Sequence, residues 1–348
     1  MNKRNLLNFV LLTFYLCACE KPSTSPKPSY PGKKIDIGGY QLHYILQNPS
    51  ADNRPAVVMD AGLGGISLDW HLVQQALGTE LTTLSYDRSG MGWSDAGPYP
   101  GNLEQNVLEL HTLLDRLHLK KPILLVGHSS GALRVLAYAR KYPDEIYGVV
   151  LVDPTVETNQ AKVTQYLSES EQQAIERAGG VPTDPTKEEL NAFRQQVASL
   201  DKMGKLKETL KQQEVGRSVR DFLPADLAKQ YEEVSYAARS IYTLLDELEQ
   251  TPTAVKQVYD HPFPMGKKPI VILSATQMQN FASDGPPAGI PTEIVPLIIK
   301  LKNRTQKELV SYSTHPASQQ VIIENAGHYI QIDKVDEVAK GIKSILGL

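Results

Sequence analysis

An uninterrupted apolar run, Ile123-Leu-Leu-Val126, stops at Gly127-His-Ser-Ser-Gly131, and a helix-like pattern takes over from there. A short run of this kind reads as a strand buried on both faces. A serine held between a strand end and a helix start must turn sharply, and Gly127 and Gly131 let the neighbouring backbones pass closely. The Ser129 hydroxyl is thereby pushed outward. The first free amides of the following helix face whatever that hydroxyl attacks, so one segment supplies a nucleophile and part of an oxyanion site. Gly-x-Ser-x-Gly is common by chance in loops, and its place between strand and helix is what gives it meaning here.

The rest of the chain repeats the same alternation. Ile35 to Leu46 alternates apolar and polar residues on both sides of Gly38-Gly39, which predicts an antiparallel hairpin. Ala56–Met59, Leu81–Tyr86, Ile123–Val126 and Ile146–Val152 read as strands, and Asp69–Leu77, Asn102–Leu117 and the stretch from Gly131 to Tyr142 as helices. Strands alternating with helices, several of them apolar on both faces, predict an α/β fold whose mostly parallel sheet is covered on both sides. From Thr155 to His261 no strand-like run occurs; amphipathic stretches at Gln160–Ala178, Lys187–Ser199 and Asp226–Leu248 predict a helical insertion. Strands resume at Pro269–Leu273 and Gln320–Ile323, and a helix at Val335–Leu346 closes the chain. The expected organisation is a core of residues 35–154 and 269–348 with a helical cap at 155–268.

The N-terminus carries Lys3 and Arg4 ahead of Leu6–Leu16, an apolar run too short to span a bilayer comfortably, and reads as a secretory signal. Leu16-Cys-Ala-Cys19 looks like a bacterial lipobox. The expectation is a signal peptide at 1–18, a lipid anchor at Cys19 and a Pro/Ser-rich tether over 19–34, which has too few large aliphatic side chains to build a core. The protein would be exported and held at the cell envelope. The outer membrane, facing the periplasm, is favoured because Glu20 follows the cysteine in place of the aspartate associated with inner-membrane retention. Both cysteines lie at or before that cleavage site, so the folded part has none and relies on packing. Removal of Lys3 and Arg4 turns 36 basic residues against 39 acidic into 34 against 39, a formal charge of −5. With no basic stripe, no nucleic-acid partner is expected.

Three motifs in order carry a resemblance to a known family. They are the glycine loop Ala61-Gly-Leu-Gly64, the Gly-x-Ser-x-Gly at 127–131, and Asn325-Ala-Gly-His-Tyr329 near the C-terminus; Asp87-Arg-x-Gly-x-Gly-x-Ser94 adds a fourth. After the tether the chain resembles the α/β-hydrolase family over essentially its whole length. The resemblance implies a Ser–acid–His triad with Ser129 as nucleophile and His328 as general base. A serine hydroxyl is barely ionised at neutral pH, and an imidazole can take its proton and return it to a leaving group. It also implies an oxyanion site of two backbone amides, Leu63 and Ser130. The family often has His-Gly where this chain has Ala61-Gly62, a change that leaves a backbone donor intact, and each such donor is worth roughly 3 kcal/mol in the transition state.

The acid departs from the family's commonest pattern, which places an aspartate just after the strand that follows the insertion. Here that loop reads Ser274-Ala-Thr-Gln-Met278, without a carboxylate. Asp153, at the end of the preceding strand, and Asp284, farther along the loop, are the candidates; some family members take their acid from the position Asp153 matches, and Asp153 is favoured. His128 is expected to pack rather than react, and Trp70 and Trp93 to serve as packing more than as site lining. No cofactor or metal is expected, since ligand spacings are missing and the glycine loop lacks the Gly-x-Gly-x-x-Gly order. The expected activity is cleavage of a small-molecule carboxylic ester through an acyl-enzyme. The competing readings are an amide hydrolase or aminopeptidase, for which Glu232, Glu233, Glu247 and Glu249 are available acids, and a non-catalytic surface lipoprotein that uses the fold as a binding module. Ser129 argues against epoxide hydrolases and haloalkane dehalogenases of this fold, which carry an aspartate at the elbow.

Overall fold

The computed structural model describes residues 30–49, 54–98, 101–214, 217–260, 263–282, 284 and 289–348. The signal-like segment, Cys19 and most of the tether lie outside the described residues. Eight strands form one sheet: β1 (Lys33–Asp36), β2 (Gln41–Gln47), β3 (Val57–Asp60), β4 (Thr83–Tyr86), β5 (Ile123–His128), β6 (Ile146–Val152), β7 (Ile270–Ala275) and β8 (Gln319–Ile323). Their order is β1-β2-β4-β3-β5-β6-β7-β8. β1 and β2 pair antiparallel to their neighbours, and all other pairs are parallel. The hairpin turns at Gly38 and Gly39 (φ 125° and 101°), values open to glycine and strained for other residues. The last tether residues belong to the fold, because β1 begins at Lys33 and the Tyr30 ring packs on His43 and Trp93.

The two-residue period of the central strands sorts their side chains onto opposite layers. Ile123 and Leu125 join the cluster covered by helices Leu103–Arg116 and Gly131–Lys141. Leu124 and Val126 join the one covered by helices His71–Leu77 and Val335–Leu346. Every residue of β5 is buried. Helix Leu103–Arg116 starts where Asn102 accepts a hydrogen bond from the Gln105 amide, a side-chain cap for an otherwise orphaned donor.

Between β6 and β7 lie helices Gln160–Tyr166, Glu169–Arg177, Lys187–Lys202, Leu206–Gln213, Ala225–Ser235 and Ala238–Tyr259. Two of the expected stretches are broken. Gln160–Ala178 divides at Ser168, whose capping box with Glu171 starts a new helix, and Asp226–Leu248 divides at Tyr236-Ala237. Helix Val295–Glu308, unread in the sequence and following β7, also joins this layer: Ile294, Ile298 and Leu301 pack with Val163, Leu167 and Ile175. In turn, Ala254 and Val258 of helix Ala238–Tyr259 belong to the main core cluster. Among the described residues no helix is long and apolar enough to cross a membrane.

Candidate active site

Ser129 stands between β5 and helix Gly131–Lys141 with φ 51°, a left-handed conformation that costs a non-glycine residue about 1–3 kcal/mol and persists only where its surroundings enforce it. Its amide donates to Val152 O at 3.0 Å, and its carbonyl accepts from Ala132 and Thr155. The flanking glycines are required by contact: a Cβ on Gly131 would lie 2.4 Å from Asp60 O, and one on Gly127 2.8 Å from Ala132 N.

Asp153 follows the last residue of β6, also left-handed at φ 39°, and is about 1 % exposed. His328 lies on the loop after β8, where its amide donates to Gln279 O at 2.7 Å. The fold brings the three together: His328 Nδ1 is 2.7 Å from Asp153 Oδ2, and His328 Nε2 is 2.9 Å from Ser129 Oγ. An ionised carboxylate only accepts, so the proton sits on Nδ1 and the Nε2 lone pair faces the serine hydroxyl. Asp284 is elsewhere; its carboxylate accepts from the Phe281 amide at 3.2 Å and lies 3.8 Å from the Arg217 guanidinium.

Asp153 has further partners that the sequence did not reveal. Lys302 Nζ bridges both carboxylate oxygens at 2.7 and 2.9 Å, Gln306 Nε2 donates to Oδ1 at 3.2 Å, and the Ala275 amide donates to Oδ1 at 3.1 Å. Burial alone would push the carboxyl up, but Lys302 and the His328 ring outweigh it and hold Asp153 well below the usual carboxylate range.

The glycine loop lies against the nucleophile, since a Cβ on Gly62 would meet Ser129 Cβ at 3.2 Å. A turn from Gly62 to Gly65 leaves Leu63 at its second position, with Gly64 at φ 65°. Among the described residues the Leu63 and Ser130 amides take no hydrogen-bond partner, which leaves both donors for a ligand. The loop rests on a buried network. Arg88 donates to the carbonyls of Ala61 (3.2 Å), Gly62 (3.0 Å) and Gly65 (3.3 Å) and to Glu247 Oε1 (2.5 Å). Arg134 grips both oxygens of Asp60 at 2.9 and 3.0 Å, and Glu247 accepts from the Gly64 amide at 3.0 Å. Neither this network nor the Lys302–Gln306 pair was read from the sequence.

His128 packs, as its place behind the nucleophile suggested, and also braces the histidine loop. Its Nε2 lies 3.0 Å from His328 O, and its ring is 4.7 Å from that of His328. Burial, reinforced by the neighbouring His328, pushes its imidazole down to about 3, so it stays neutral. This has a consequence for stability. An unfolded histidine takes a proton near pH 6.5, whereas folded His128 refuses one until about pH 3. Its contribution is complete above about pH 6.5 and falls by about 1.4 kcal/mol per pH unit below it. His128→Gln, which keeps an amide donor for His328 O, is expected to reduce by about 2–3 kcal/mol the loss of urea stability between pH 6.5 and 4.5. Equal losses in variant and parent would refute this.

Trp70 is fully buried in the core and Trp93 packs on His43, so neither is placed beside the triad by any described contact. His43 is buried against Asp87, and His111 pairs with Asp115 and Glu145. His261 lies outside the described residues. Among the described residues no group of three or more His, Cys, Asp or Glu is placed to hold a metal.

Residues 55–285 match the family described as the alpha/beta hydrolase fold, and the chain belongs to that family. It is similar to the uncharacterised protein YqjL of Bacillus subtilis (32 % identity over 37 % of this chain and 51 % of that one). It is also similar to the bovine (lyso)-N-acylphosphatidylethanolamine lipase from Bos taurus (32 % identity over 32 % of this chain and 33 % of that one). The chain thus spans about half or less of the length of these curated relatives. Among solved structures, a thermophilic esterase from Thermogutta terrifontis superposes with TM-score 0.54 at 17 % identity, covering 91 % of this chain and 98 % of that one. A 2-hydroxy-6-oxo-6-phenylhexa-2,4-dienoate hydrolase from Rhodococcus does so with TM-score 0.57 at 17 % identity, covering 91 % and 98 %. These two likenesses concern the fold.

Proposed function

We propose that this protein is a serine hydrolase that cleaves a carboxylic ester through an acyl-enzyme. The observation that carries the reading is the unbroken relay of 2.7 and 2.9 Å from Asp153 through His328 to Ser129. His328 Nε2 takes the serine proton as Oγ bonds to the ester carbonyl carbon, and the resulting oxyanion is received by the Leu63 and Ser130 amides. Collapse breaks the C–O bond, and the alcohol leaves with the proton from His328. A water deprotonated by the same nitrogen then releases the acid and restores Ser129.

Ester is favoured over amine-terminated amide because the acids considered for an aminopeptidase are occupied or remote. Glu247 is buried against Arg88, Glu232 is held by Lys207, Lys211 and Arg220, Glu249 by Arg194 and Lys187, and Glu233 is exposed. The name of the bovine lipase points the same way. The N-terminal pattern adds that the enzyme is anchored through Cys19 to the outer membrane, facing the periplasm.

A fluorophosphonate probe applied to cells that express the full chain tests both readings. Label is expected on the peptide that carries Ser129, recovered with the membrane from the parent and in the soluble exported fraction from Cys19→Ser. Absence of label would support the binding-module reading instead, and membrane recovery of Cys19→Ser would reject the anchor.

A further inference from the structure

The C-terminal end of β7, beside the loop where the commonest family pattern would place the acid, offers backbone groups to Asp153 and to a cation from helix Val295–Glu308. The Ala275 amide donates to Asp153 Oδ1 at 3.1 Å, and Ala275 O accepts from Lys302 Nζ at 3.3 Å. Lys302 spans both oxygens of Asp153, and Gln306, one helical turn on, donates to Oδ1 and to Pro154 O. We propose that Lys302 is a positioning residue of the relay: its ammonium keeps Asp153 ionised and aimed at His328, and so sets the low-pH edge of the range in which Ser129 can be deprotonated. The inference rests on the hydrolase reading for its functional half, while its electrostatic half stands on the geometry.

Lys302 is the charged side chain bonded to this aspartate from its helix. Its helix neighbours are engaged elsewhere, Lys300 with Glu171 and Glu308 with Lys162. From β5 comes His128, kept neutral by burial. The loop after β8 presents His328 itself and Tyr329, whose phenol burial keeps protonated; Asp333, at the end of the short helix that follows (Ile330–Asp333), accepts from the Gly327 and Ala282 amides. From the cap, Tyr259, also kept protonated by burial, donates to Thr155 O. β7 contributes backbone alone to Asp153.

An anion beside an imidazole favours the imidazolium, and a cation on that anion cancels part of the effect. Without the ammonium, the Asp153 carboxylate favours the imidazolium more strongly, and activity is lost sooner on acidification.

The test uses the full chain with ¹³C-labelled histidine rings. The His328 Cε1–H resonance, assigned by its loss in His328→Gln, is followed with pH alongside the rate of fluorophosphonate labelling. Lys302→Met, and Lys302→Gln, which retains a neutral donor, are expected to raise the midpoint by about one pH unit and move the low-pH edge of labelling with it. Lys302→Arg, which keeps the charge, should stay within about 0.3 unit of the parent. A midpoint unmoved in both neutral variants would overturn the proposal, even if labelling slowed equally at every pH, since that is what a merely structural lysine would give. A midpoint that moves as stated in a chain that never labels supports the electrostatic link and overturns the hydrolase reading.

Discussion

Asp153→Asn is expected to lower kcat on a short p-nitrophenyl ester roughly ten-thousand-fold, or about 5–6 kcal/mol of activation free energy. The side chain keeps its shape but changes its hydrogen-bond sense. Lys302, Gln306 Nε2 and the Ala275 amide all donate to Asp153, and the ammonium and the backbone amide can only donate. An asparagine here would therefore turn its single carbonyl oxygen to those three and its NH₂ toward His328. Facing a donor, Nδ1 becomes the acceptor, so the proton moves to Nε2, where it blocks uptake of the serine proton. Asp284→Asn, whose carboxylate serves the Phe281 amide, should leave kcat within about twofold, as substitutions away from the reacting groups do. Steady-state kinetics of the two variants decide the matter, and the opposite ranking would transfer the acid to the later loop.

How far the site could be read from the chain depended on whether its cause was local. Gly127, Ser129 and Gly131 were legible because strand, elbow and helix are contiguous, and the 2.4 Å clearance at Gly131 is a steric demand that only glycine meets. Most of the sheet was legible because β3, β5 and β7 are buried throughout and β6 at every position but Tyr147, and all four show it as apolar runs. Asp153 could be nominated from its place at a strand end. Its environment could not, because Lys302 and Gln306 lie 149 and 153 residues away on a helix that follows a Gly/Pro-rich stretch and was not read at all. Glu247 shows the same limit from the other side. Helical periodicity identifies the face on which an acid lies but not its partner, so one half of a buried ion pair spanning 159 residues was read as an acid available to bind an amine. The break at Ser168 was avoidable, since Ser168-x-x-Glu171 is a capping box visible in the sequence.

The largest expected effect on stability belongs to that glutamate. Glu247→Ala should cost about 3–5 kcal/mol, read as a fall in the urea midpoint at unchanged slope. Asp60, Arg88, Arg134 and Glu247 form a neutral buried set, none more than about 8 % exposed. Removing one anion leaves two guanidiniums on a single carboxylate in a region that water cannot readily reach, and an uncompensated buried charge is what makes such a deletion expensive. The Gly64 amide also loses its acceptor. Burial opposes ionisation of Glu247, but Arg88 and Arg134 outweigh it and lower its carboxyl from the ordinary value. The contribution is therefore present above the unfolded pKa and fades as pH falls through the folded one, so the gap between parent and Glu247→Ala should narrow in acid. Glu247→Gln retains an acceptor for Gly64 and should lose less at neutral pH. Because Glu247 belongs to helix Ala238–Tyr259 while Arg88 holds the Ala61, Gly62 and Gly65 carbonyls, the pair ties the cap to the loop that presents the Leu63 amide. A double-mutant cycle with Arg88→Met separates this coupling from lost packing. A Glu247→Ala loss below about 1 kcal/mol, the size expected of a solvated surface pair, would show that the network does not carry the loop.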